Sequence, residues 1–235
     1  MRSSPPVGRT RPLASPPYRR VVAIDGPAAS GKSSVARELA RKIGFVYVNS
    51  GAMYRAVTWH VLDRGIDPAD RDRVGELAGM IQMVCDLDRD ESRILIDGAD
   101  PTSHLRDSRV NDGVSLVSSV PRVREVLVEK MRAYALEHDV VMEGRDIGSV
   151  VFPDTPFKFY IDASPEIRSR RRAAQGQTDR IAARDEADSS RSTSPLTIAA
   201  DAEVIDSSTL SIDGVVHRII DRLRAKGFSE AQSAR

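Results

Sequence analysis

Residues 26 to 33 read GPAASGKS, flanked by the apolar run RRVVAID before and KSSVARELARKIG after. This is the spacing G-x-x-x-x-G-K-[ST] in the context it requires, following a strand and opening a helix. Gly26 and Gly31 let the backbone fold into a nest whose amides point at phosphate oxygens. Pro27, Ala28, Ala29 and Ser30 form the loop between them, and the helix beginning near Lys32 adds its positive end. Lys32 would bridge the β- and γ-phosphates of a nucleoside triphosphate such as ATP, and the Ser33 hydroxyl would ligate magnesium. Ser34 continues the cradle through its backbone amide. The bland alternative is a glycine turn with no ligand, and the flanking strand and helix weigh against it.

The elements that must position this cradle follow from periodicity. RRVVAID is a short β-branched run stopped by glycine and proline, a buried strand. The next segment sets Val35, Leu39 and Ile43 on one helical face and closes on Gly44, and FVYV is a second strand, completing a βαβ unit. A parallel α/β architecture follows. SGAMYRAVTWHVLDRG reads as a helix closed by Gly65, and DPADRDRVGELAGMIQM as another started by Asp67 and Pro68. MVCDLDRDESRILIDG reads as a hairpin inserted among helices and outside the parallel sheet. Helices over about Ser108 to Ser119 and beyond Pro121 come next, then the strands DVVMEG and FKFYID, the second with Ser164 and Pro165 opening an arginine-dense helix. The strand AEVID and an amphipathic helix finish the chain.

With 35 Lys plus Arg against 34 Asp plus Glu, the 235-residue chain has a formal net charge of +1, which excludes a generic nucleic-acid binder. Its 40% hydrophobic residues and 15 glycines suit one ordinary globular domain or two small ones. Only five of the basic residues are lysine; arginine suits bidentate phosphate contacts, although a GC-rich genome would give the same bias. The first twenty residues hold five arginines, five prolines and no acid, a disordered tail over 1–19, and they leave the remaining body at about −4. The balance therefore points to small phosphates held locally. Cys85 is the single cysteine, which excludes an intrachain disulfide, fits a reducing compartment and reads as a small buried apolar residue. No apolar run approaches the roughly 18 residues of a membrane span, and the N-terminus lacks a secretory core, so a cytoplasmic protein with no membrane partner is expected.

A cradle alone leaves kinases, GTPases and ATP-driven machines open. IDGPAASGKSS (Ile24 to Ser34) and NSGAMYRAV (Asn49 to Val57) resemble the bacterial cytidylate kinases. LRDSRVNDGVSLVSSVPRVRE (Leu105 to Glu125), VMEGRDIGSVVFPD (Val141 to Asp154) and RDEADSSRSTSPL (Arg184 to Leu196) resemble that family's remaining motifs in the same order. The resemblance covers nearly the whole chain apart from the tail. It implies a three-layer P-loop NTPase core, α/β with a parallel sheet flanked by helices, spanning 20–235. Within it lie a monophosphate-binding insertion near 50–120 and a short lid near 168–191. The implied reaction is ATP with CMP or dCMP giving ADP with CDP or dCDP, in the presence of Mg2+, by a monomer.

Carried over position by position, Ser115, Arg124 and Asp146 match the residues that read the cytosine edge. Arg55, Arg145 and Arg184 match those gripping the acceptor phosphate, with Arg106 as a helper and Ser50 beside them. Asp188 and Arg191 match positions near the sugar. Among Arg168, Arg171 and Arg172, one or more would reach the ATP phosphates, Arg171 foremost. Elementary chemistry agrees: a phosphate acceptor is already an anion and needs no general base, so alignment and charge stabilisation by Lys32, Arg145 and Arg184 suffice. Cytosine presents an amino donor beside ring acceptors, which a carboxylate plus cationic and hydroxyl donors complements, whereas uracil would turn a carbonyl toward that carboxylate.

Blander readings remain beside these: an Arg145–Asp146 ion pair at a strand end, a solvated arginine face at 168–172, and a surface loop around Asp185, Glu186 and Asp188. Tyr54 and Trp59 read as core residues, and the four scattered histidines as structural or exposed. Kinases for UMP or AMP and a nucleotide-sensing switch are the rival functions; a switch should carry a guanine-reading N-K-x-D motif, and none is present. Two departures from the family pattern stand out. Asn49 replaces the usual acid, keeping a carbonyl and losing the charge, and the stretch 175–183 is shorter than the usual lid.

Overall fold

The computed structural model describes residues 18–88, 91–174, 185–186, 188–190 and 196–228. The tail over 1–17 and most of the expected lid, 175–184 with Arg184 and also Arg191, lie outside the described residues.

The chain runs β1 (Val21–Asp25), α1 (Lys32–Ile43), β2 (Val46–Asn49), α2 (Ser50–Asp63), α3 (Arg71–Met80), β3 (Met83–Asp88) and β4 (Glu91–Ile96). There follow α4 (Ser108–Ser118), α5 (Pro121–Glu137), β5 (Val140–Gly144), β6 (Phe157–Asp162), α6 (Pro165–Ala174), β7 (Glu203–Asp206) and a C-terminal helix, Ile212–Ala225. The described strands form a sheet in the order β3-β4-β2-β5-β1-β6-β7. β2, β5, β1, β6 and β7 are mutually parallel, so the expected α/β architecture holds.

Side-chain alternation along β1 divides the interior in two. Val21 and Ala23 face a cluster built with α2, α4 and α5, including Met53, Val57, Val117, Leu127 and Met142. Val22 and Ile24 face the other, in which α1 and the C-terminal helix supply Val35, Leu39, Ile219 and Leu223. Burying both faces of the central strand explains its uninterrupted apolar run and gives the three layers.

Two local expectations are corrected. The hairpin is not outside the sheet: β3 and β4 pair antiparallel, and β4 joins β2 at Tyr47 and Glu91, extending the sheet at that edge. Ile94 and Ile96 are buried in the α2 side of the core, and the added strand covers backbone groups that β2 would otherwise expose. The helix expected from Asp67 begins at Arg71. Asp70 caps it by accepting from the Arg73 amide at 3.1 Å, while Asp67 instead accepts from the Ala69 amide in an Asx turn, a local bond that competes with helix.

Candidate active site

β1 and β5 end side by side, while β1's other neighbour, β6, lies across from β5. A crevice opens at such carboxyl ends in parallel sheets. Here it is a cleft of about 460 Å³ lined by the loop 28–31, the start of α1, the start of α2, parts of α4 and α5, and the end of β5.

On one side lies the cradle. Gly26 has φ 153°, and a Cβ there would stand 2.1 Å from the Ile161 carbonyl oxygen, so the tight exit from β1 requires glycine. Lys32 is buried, donates to the Pro27 carbonyl at 3.0 Å and stands 4.0 Å from the Glu143 carboxylate. Ser33 Oγ donates to Glu143 Oε1 at 2.8 Å. Arg171 on α6 donates to the Ser30 carbonyl at 3.0 Å and to the Ser207 carbonyl at 2.8 Å, which pins this guanidinium against the loop. Arg168 pairs with Asp185, whose carboxylate also accepts from the Ala28 amide at 3.4 Å. Ala28, Ala29, Ser30, Gly31, Ser33 and Ser34 line the cleft, as does Arg172.

The opposite wall is assembled from distant segments. Arg124 of α5 and Asp146 beyond β5 are both buried and form an ion pair; Arg124 also donates to the Ser118 carbonyl at 3.2 Å. Ser115 lies one turn earlier on α4 and lines the same cleft. The Arg124 guanidinium sits over the Tyr54 ring, 5.3 Å from its centre. Arg145 donates to Asp188 at 2.8 Å; burial works against its charge, but Asp188, with Glu143 and Asp185 adding, outweighs that and raises its pKa above the ordinary arginine value. Ser50 donates to the Glu143 carbonyl at 2.7 Å, and Arg55, one helical turn on, donates to the Gly51 carbonyl at 3.1 Å.

The structure thus brings together the cradle residues from Ala28 to Ser34 with Ser50, Arg55, Ser115, Arg124, Arg145, Asp146, Arg171 and Asp188. Arg106 is not among the lining residues; its side chain is exposed ahead of α4. Arg145 and Asp146 do not pair with each other, since each has a partner from another segment, Asp188 and Arg124 respectively. Tyr54 is core and also lines the cleft, whereas Trp59 stacks on His104 away from it. Asn49 caps α2, its Oδ1 accepting from the Ala52 amide at 2.9 Å, so the retained carbonyl has a structural task that needs no charge. Glu143 escaped sequence reasoning. Its signal was an acid inside VMEGRD, at the end of a strand that had to neighbour the cradle.

A mostly parallel sheet with a glycine-lysine loop at one side of its crevice and a wall of paired arginines at the other fits a P-loop phosphotransferase. The sequence profile of the cytidylate kinase family matches residues 22–225. Cytidylate kinase of Pelotomaculum thermopropionicum is 45% identical over 216 residues, covering 87% of this chain and 96% of that protein. The cytidylate kinase of Mycobacterium leprae is 44% identical over 218 residues, covering 88% and 96%. The chain belongs to the cytidylate kinase family.

Proposed function

We propose that the protein transfers the γ-phosphoryl group of ATP to CMP or dCMP, giving CDP or dCDP. The carrying observation is the buried Arg124–Asp146 pair beside Ser115, facing the Lys32 and Ser33 cradle across one cleft. Asp146 accepts from the cytosine amino group, and Arg124 and Ser115 supply donors to the ring acceptors. Uracil leaves its carbonyl against Asp146 without a donor, which disfavours it. Arg55 and Arg145, with Arg184, hold the acceptor phosphate, and Asp188 and Arg191 lie toward the sugar. Lys32 bridges the donor's β- and γ-phosphates, and Arg171, already against the loop, follows the charge as it spreads.

The oxygen donors here fit magnesium: Ser33 would hold it, with the Glu143 carboxylate beside that hydroxyl. Bound there, the ion supplies charge neutralisation on the transferring phosphates. No base is required, because the attacking phosphate oxygen is already anionic; alignment and electrostatics do the rest. Among the described residues no helix is long and apolar enough to cross a membrane.

Coupled assays of ADP release with CMP, dCMP, UMP and AMP test this reading. CMP and dCMP should give the highest kcat/KM. Rates with both no greater than the acceptor-free background would overturn it.

A further inference from the structure

Asp25 is the last residue of β1 and the one before Gly26. It is 6% exposed, and both oxygens of its carboxyl are engaged by backbone amides from another segment. Oδ1 accepts from the Ile147 amide and Oδ2 from the Gly148 amide, both at 2.8 Å. These amides belong to the single π-helical turn Ile147–Val151, which begins immediately after Arg145 and Asp146. β5 leaves the sheet at Gly144, the register partner of Asp25, so the two residues between ladder and turn are the ones that face the cleft. Their path is bounded by the ladder on one side and by Asp25's two hydrogen bonds on the other.

A carboxylate is a costly group to bury. Burial pushes the Asp25 carboxyl up to about 7 against the pull of the two amides, with Asp146 adding to the rise and Lys32 opposing it. The Lys158 stem packs near Gly148, but its ammonium is turned away to the Pro153 carbonyl and Asp201. Two adjacent donors need two acceptors in a fixed fork, which an amide or hydroxyl side chain does not offer. Breaking the fork frees the peptides that set the direction of Asp146 and, through it, of Arg124.

We propose that Asp25 is a positioning residue that clamps the Arg145–Asp146 turn to the end of β1, keeping the acceptor-reading wall in register with the phosphate cradle. This rests on the CMP kinase reading above. The acceptor parameters should therefore respond to its loss more than the donor's, since the cradle keeps its own internal contacts, including Lys32 on the Pro27 carbonyl.

The experiment compares wild type with Asp25→Asn, which keeps the shape and one acceptor but sets an NH2 against the second amide. A KM for CMP raised about tenfold or more is expected, because an NH2 set against the second amide leaves a buried donor unsatisfied, which carries about that factor. The ratio of kcat/KM for CMP over UMP should fall about fivefold or more, while the KM for ATP stays within about threefold. A purely structural role would lower the active fraction and leave both KM values and the selectivity ratio where they were, and that result overturns the proposal. If Asp25→Asn does not fold, the same readings on Asp25→Glu, whose added methylene shifts the turn while keeping the carboxyl, decide it. Failure of both variants to fold also overturns it in favour of a structural role. Wild type lacking CMP kinase activity would instead count against the functional reading, so the two failures are distinguishable.

Discussion

The donor cradle and the acceptor wall face each other across one cleft but are built in opposite ways. The cradle is nine consecutive residues, Gly26 to Ser34, whose shape comes from glycine backbone freedom at Gly26 and from a local bond, Lys32 to the Pro27 carbonyl. The wall draws Ser50 and Arg55 from α2, Ser115 from α4, Arg124 from α5, Arg145 and Asp146 from the end of β5, and Asp188 from beyond α6. Its pairs, Arg124–Asp146 and Arg145–Asp188, join segments far apart in the chain. A local device performs general phosphate chemistry. On the proposed reading, selection of one base falls to a device that exists only when the whole fold is in place.

The contrast is broken or sharpened by substitution on each side. Lys32→Ala should lower kcat by about 10³-fold with the KM for CMP little changed, because on the proposed reading the lysine acts on charge that develops in transfer. Steady-state kinetics at saturating ATP check this; a dominant change in the acceptor KM would blur the division. Asp146→Ala should raise the KM for CMP, abolish the preference over UMP and cost about 3 kcal/mol of stability, since it strands the buried Arg124 charge. Urea unfolding alongside kinetics separates the two effects. Lys32→Ala should cost less stability, because the buried Glu143 carboxylate it faces at 4.0 Å keeps the Ser33 hydroxyl as a hydrogen-bond partner.

Asp25 ties the two sides together, and its charge sets a pH dependence. Its carboxyl, raised to about 7 by burial with Asp146 adding and Lys32 and the two amides opposing, stays protonated in the fold at pH values where the unfolded chain has released the proton. The folded state then binds more protons, so this contribution is fully present below the unfolded value of about 4 and is lost as pH rises through 7. The stability of Asp25→Asn relative to wild type should therefore improve between pH 5 and 8 in urea titrations. A difference independent of pH would show that the carboxyl titrates outside that window. The smallest effect belongs to Asn49, at the seam of the two regions. Asn49→Ala should cost about 1 kcal/mol by removing the α2 cap, and Asn49→Asp should restore the cap with kcat within about twofold of wild type.

Particular residues show what could be read in advance. The cradle was legible because its chemistry and spacing occupy one window and the flanking strand and helix announce themselves by periodicity. The βαβ start, the strand ends at 144 and 162 and the amphipathic C-terminal helix were legible for the same reason. Ser115, Arg124 and Asp146 could be nominated only by resemblance, since nothing local distinguishes Arg124 from the other arginines of α5. Glu143 was missed because an acid in a strand shows its role only once the neighbouring strand is known. The hairpin at β3 and β4 was misplaced because short alternating strands say how they pair with each other and not which edge they join. Arg106 matched a motif, yet its side chain stays on the outer surface.

The amino-acid order by itself determined the phosphate cradle, the parallel α/β class and the balance of charge, because short-range sterics, glycine freedom and periodic burial act within a few residues. Tertiary structure alone decided that Arg145 pairs with Asp188, that Arg124 pairs with Asp146, and that Asp25 reaches two amides 122 and 123 positions away. Those choices depend on the sheet order that sets β5 beside β1. A buried charge persists only where the fold delivers a partner.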